Sequence, residues 1–147
     1  MEANDRNVVK FTALAHALFH TYELSIPLFV GVWMADFDAS AALVGTVVGA
    51  GYALVGLGAL ISGVLSDRFG CRRLISLSMV GMGVGFALVS LADGVVVLGA
   101  AMLVWGAFAS LYHPAGLSLI SRSAEKRGTV FAYHGAGGNV GTAAGPL

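Results

Sequence analysis

His16, His20 and Glu23 are spaced by four and by three, so a helix would carry all three on one face about two turns long. An imidazole beside a carboxyl is the pairing that proton exchange needs, because histidine changes charge near physiological pH and can hand its proton to a neighbour. His113 and His134 complete the four histidines of the chain. Pro114 follows His113 and removes the donor for the Ser110 carbonyl, which predicts a kink beside an imidazole and hence a cavity wall. Glu23, His20, His16, His113 and His134 are therefore the candidates for proton coupling or for a polar substrate cavity. The plainer reading is a neutral, hydrogen-bonded structural cluster. His16 and His20 alone are two ligands, and the other two histidines are far off in sequence, so no metal and no cofactor is expected.

Nothing points to an enzyme. Gly135-Ala136-Gly137-Gly138-Asn139-Val140-Gly141 imitates a dinucleotide fingerprint, but its third glycine stands one place late and no strand precedes it. Walker loops, zinc-protease helices and serine-hydrolase elbows are absent.

The elements that must hold the candidates are read from composition. Of the 147 residues, 57% are hydrophobic and 11% charged, far below the roughly 25% charged of a soluble domain. Mean hydropathy is +0.84. Eight Lys plus Arg balance eight Asp plus Glu, so no basic face offers itself to a nucleic acid. The charges cluster, and between the clusters lie five long apolar stretches: 11–35, 41–65, 74–92, 95–121 and 128–147. A helix crosses a bilayer core with roughly 20 residues, so all five are expected to be transmembrane helices with the lipid bilayer as solvent. A soluble helical core would need polar outer faces, and 41–65 has none.

Glu23 is the one charged residue inside a stretch, near the midplane of the first. An ionised group there costs about 2.5 to 3.5 kcal/mol on the mildest scale, so the stripe is expected to face a bundle interior. All eight basic residues fall before the first stretch, between the second and third, or between the fourth and fifth. The positive-inside rule then puts the N-terminus in the cytoplasm. Cys71 stands alone and builds neither a disulfide nor a metal site. Gly45 with Gly49, Gly81 with Gly85, and Gly137, Gly141 and Gly145 recur at intervals of four, as close helix packing in lipid requires.

The loop Gly63-Val64-Leu65-Ser66-Asp67-Arg68-Phe69-Gly70-Cys71-Arg72-Arg73 resembles the cytoplasmic signature of the major facilitator superfamily, G-x-L-a-D-R-x-G-R-K/R, and stands between helices two and three as it does there. Cys71 occupies the place of the first paired basic residue. The resemblance implies that Gly63 permits close packing and that Asp67 caps a helix terminus and joins a charge network. It implies that Gly70 turns the chain and that Arg68 and Arg72, or Arg73 in place of the missing base, complete a cytoplasmic gate. Gly141-Thr142-Ala143-Ala144-Gly145-Pro146 looks like the family's antiporter motif G-x-x-x-G-P, with Gly137 one turn before it. Tyr112-His113-Pro114-Ala115-Gly116 and Gly137-Gly138-Asn139-Val140-Gly141 resemble the fosmidomycin-resistance type of efflux carrier.

The resemblance implies an all-α, multi-pass membrane bundle, the first five transmembrane helices of a truncated twelve-helix fold, since Leu147 ends the sequence without a polar flank. It implies a secondary transporter of the plasma membrane that exports a small organic molecule in exchange for protons by alternating access, partnered by a missing C-terminal half. The competing readings are a complete small oligomeric multidrug exporter and a non-transporting partner subunit.

Overall fold

The computed structural model describes all 147 residues as helices joined by short turns. The order is α1 (Ala3–Asp36), α2 (Ala41–Phe69), α3 (Cys71–Ser90), α4 (Val95–Ala109), α5 (Tyr112–Ser123) and α6 (Arg127–Ala144). Each turn has a local cause. The Ser40 hydroxyl caps α2 by accepting from the Leu43 amide at 3.2 Å. Gly70, with φ +86°, reverses the chain between α2 and α3 in a single residue, a conformation that favours glycine.

Three segments are long and apolar enough to cross a membrane: Ala41–Phe69, Cys71–Ser90 and the α4–α5 run Val95–Ser123. α1 and α6 do not reach that hydropathy, because they carry the imidazoles, Glu23 and a dense set of glycines. The outside of the bundle is apolar. On α2, Leu57, Leu60, Ile61 and Val64 are 62–80% exposed, a surface suited to lipid and not to water.

Several boundaries differ from the sequence expectation, among them the end of α2, which runs on to Phe69 rather than 65. α1 begins at Ala3 rather than Phe11, since its first turns are anchored from outside. Asn4 donates to the Ser123 carbonyl at 2.6 Å, and the Asp5 carboxylate accepts from the Glu125 and Lys126 amides at 3.0 and 3.1 Å. α3 likewise starts at Cys71 rather than at 74, directly after the Gly70 turn. The expected kink in the fourth stretch lies at Ser110–Leu111, two residues before the His113–Pro114 pair, where both residues keep right-handed helical dihedrals while the Leu111 amide bonds to Phe108 instead of Ala107.

A carbonyl that loses its helical donor must find another in an apolar interior. At the α4–α5 kink, Ser78 donates to the Phe108 carbonyl at 2.7 Å, adding to the Leu111 amide already bonded there, and Ser62 donates to the Leu111 carbonyl at 2.9 Å. Pro27 sits inside α1 without ending it, and its missing N–H frees the Glu23 carbonyl, which accepts from the Tyr52 hydroxyl at 2.6 Å.

α4 packs against α2 and α3, α1 pairs with α6, and α5 touches all of the remaining helices. The core runs along α4–α5 as Leu98, Met102, Trp105, Ala109, Tyr112 and Leu119, spaced by three, four or seven as one helix face requires.

Candidate functional site

Helix α1 presents His16, His20 and Glu23 on one face, and the α1–α6 and α1–α5 contacts bring the other two histidines to it. His20 Nδ1 lies 2.7 Å from Glu23 Oε2, and His20 Nε2 lies 3.0 Å from His16 Nε2. His16 Nδ1 donates to the His134 carbonyl at 2.9 Å. The His134 ring stacks on His16 with centroids 4.0 Å apart and planes 10° apart. His113, on α5, stands edge-on to His16 at 5.2 Å and lies 5.6 Å from His20. All five residues singled out from the sequence thus form one cluster, joined through residues more than a hundred positions apart.

The cluster is graded in exposure. His20 and Glu23 are each 23% exposed, whereas His134 is 5% exposed, so the hydrogen-bonded line runs from an accessible carboxylate to a closed end. Phe19, 4.5 Å from His113, and Tyr112 wall it off. Tyr112 also ties α5 to α1 by donating to the Thr12 carbonyl at 2.7 Å. Chemically, the line Glu23–His20–His16 can hold a proton and relay it, or accept from a polar cation.

Sequence reasoning missed three contributors. Tyr52 holds the backbone at Glu23, and its signal was a phenol in the middle of an apolar stretch. Tyr112 was legible only as a neighbour of His113. Gly138 seats the His16 ring, because a Cβ there would overlap the imidazole.

Gly137 and Gly141 let α6 lie directly against the Ala13 and Ala17 carbonyls of α1, and Gly145 meets Leu24. Ser25 donates to the Gly145 carbonyl at 3.0 Å, and Pro146 follows just past the helix end. Gly81 and Gly85 pack on Phe108 and Trp105. Gly45, Gly49 and Gly63 do not pack: nothing lies within 4 Å of a Cβ built on any of them, because the α2 face that bears them is uncovered.

At the end where the basic residues gather, Asp67 pairs with Arg122 of α5. Asp67 caps no helix terminus, since it lies in the last turn of α2, where the free groups are carbonyls. Arg68 and Arg72 do not join its ion pair; their guanidinium groups lie over the Phe69 and Phe11 rings at 5.4 and 5.7 Å. Arg73 flanks the same surface, and Leu65 packs on the core. The Asn4–Ser123, Asp5–Glu125 and Asp67–Arg122 contacts gather the N-terminus, the α2–α3 turn and the α5–α6 turn at one end.

Comparison with curated proteins returns no match. The family model described as Major Facilitator Superfamily matches residues 12–147, nearly the whole chain and every helix of the bundle. An all-helical apolar bundle matched over that span identifies the chain as a member of the major facilitator superfamily, a family of membrane transporters rather than enzymes.

Proposed function

We propose that this protein exports a small organic molecule in exchange for protons, by alternating access across the plasma membrane, with its N-terminus in the cytoplasm. The observation that carries the reading is the unbroken hydrogen-bonded line Glu23–His20–His16 inside an otherwise apolar bundle. Intramembrane ionisable groups are costly, and their usual return is an ion or substrate pathway. The gathering of all eight basic residues toward one end supports the orientation. A second helical half, as the family architecture provides, would supply the opposite wall of the cavity. Within the family, the stretches around His113 and Gly137 favour an efflux carrier of the fosmidomycin-resistance type.

The test is substrate movement in sealed vesicles of the full-length protein under an imposed proton gradient. Glu23→Gln is expected to abolish the gradient dependence while leaving counterflow exchange of substrate measurable. Full gradient-driven export by Glu23→Gln would overturn the proposal.

A further inference from the structure

The histidine cluster has a property that proton relay does not use. His16 Nδ1 faces the His134 carbonyl at 2.9 Å, and a carbonyl can only accept, so this nitrogen carries the hydrogen. His20 Nδ1 faces the Glu23 carboxylate at 2.7 Å and by the same reasoning donates to it. Both neutral rings then hold their lone pairs on Nε2, and the two Nε2 atoms face each other at 3.0 Å. Two lone pairs at that distance repel unless an electron-pair acceptor lies between them. The third histidine is close: the ligand nitrogens of His16, His20 and His113 all fall within 4.8 Å of one another.

We propose that His16, His20 and His113 form a binding site for a divalent transition-metal cation of the zinc class. Imidazole nitrogens bind such ions at about 2.0 to 2.1 Å, which in a tetrahedron separates two of them by roughly 3.3 Å. The 3.0 Å gap between His16 and His20 therefore needs to open by a few tenths of an ångström, and the His113 ring needs to close in from α5. Neutral imidazole is the ligand form that suits these ions, and carboxylate oxygens are not needed in the inner set. The outer partners are already in place. Glu23 accepts from His20 and the His134 carbonyl accepts from His16, the arrangement that fixes tautomer and ring orientation in histidine metal sites.

His134 is not a ligand in this proposal. Its ring lies parallel to His16, so its in-plane lone pairs run alongside the site rather than into it. Three protein ligands leave the fourth tetrahedral position open, on a site that is partly exposed through His20 and Glu23. A proton shared between His16 and His20 is the rival occupant, and it has no use for His113.

The experiment uses the full-length protein in detergent micelles, titrated with Co2+ and read by the visible d–d bands of tetrahedral cobalt, with Zn2+ as the displacing ion. One saturable Co2+ per chain is expected, released by Zn2+. His113→Ala is expected to weaken binding by about a hundredfold and Glu23→Gln by about tenfold, with Cys71→Ser unchanged. Size-exclusion profiles and the more conservative His113→Gln separate ligand loss from misfolding. No saturable site, or wild-type affinity in both folded His113 variants, would overturn the proposal, the latter leaving the shared proton as occupant. Proton-driven export is measured separately in vesicles containing a chelator, so that failure of either reading is seen without the other.

Discussion

Two glycine faces with the same spacing meet opposite fates. On α6, Gly137 and Gly141 lie against the backbone of α1, so closely that a Cβ would collide with the Ala13 or Ala17 carbonyl, and Gly145 just past the helix end meets Leu24. On α2, Gly45 and Gly49 repeat at the same interval and have nothing within 4 Å. Spacing puts residues on one face of a helix, but it does not say whether another helix covers that face. The difference matters for function because the α1–α6 seam carries His16 and His134, whereas the α2 face is a row of small residues among exposed Leu57, Leu60 and Ile61.

The comparison breaks most directly if equal changes have equal effects. Gly141→Val is expected to cost about 3 kcal/mol or more, because rigid backbone cannot yield to the added side chain. Gly45→Ala is expected to leave stability unchanged or raise it by up to about 1 kcal/mol through helix propensity. Retention of monodisperse protein after heating in detergent reads both. Similar losses in the two variants would mean that the α2 face is covered after all.

A subtler change in the seam separates packing from chemistry. Gly138→Ala is expected to displace the His16 ring while the helices stay paired, because the obstacle is a side chain that can move. The readout is a fold intact by circular dichroism, with substrate export reduced by up to about a hundredfold, the loss that a misplacement of about 1 Å can cause. Unchanged export would show that the ring position is not critical.

The hydroxyls that donate to main-chain carbonyls of neighbouring helices should matter less than the glycines. Ser62→Ala, Ser78→Ala and Tyr52→Phe each remove one donor to a carbonyl near the α4–α5 kink or four residues before Pro27. Each is expected to cost about 0.6 kcal/mol and at most about 1.7 kcal/mol, the range measured for hydrogen bonds between membrane helices. Unfolding equilibria measured in the bilayer by steric trapping would check this, and losses matching Gly141→Val would reverse the ranking.

The smallest effect is expected at the polar end of the seam. Two backbone amides, Glu125 and Lys126, hold the Asp5 carboxyl below its ordinary value of 3.8. A lowered carboxyl value means that its contribution is complete above pH 3.8 and fades as pH falls through the lower, folded value. Hydrogen exchange at Glu125 and Lys126 should therefore be slow and insensitive to Asp5 protonation near neutrality, and Asp5→Ala should accelerate it at those amides alone. Acceleration throughout α6 would mean that Asp5 holds the whole helix and not just its first turn.

Much of the fold was legible because its causes are local. Helical stretches announce themselves by apolar length, Gly70 marks a one-residue turn, and Pro114 marks the kink in the fourth stretch. The start of α1 was not legible, since Asn4 and Asp5 are made helical by partners at Ser123, Glu125 and Lys126. The choice of Arg122 over Arg68 or Arg72 as the partner of Asp67 was hidden for the same reason.

The candidate site divides in the same way. The sequence by itself determined the stripe His16, His20, Glu23, because helical periodicity is a property of one segment. It also determined that the chain avoids water over most of its surface and bears its basic residues in three connections. Tertiary structure decided that His113 and His134 join that stripe, that Tyr52 replaces the donor Pro27 lacks, and that one glycine face is covered while another stays open. The physical reason is that apolar burial and turn chemistry act within a segment, whereas helix pairing in lipid depends on which two backbones can come into contact, and that is settled only in three dimensions.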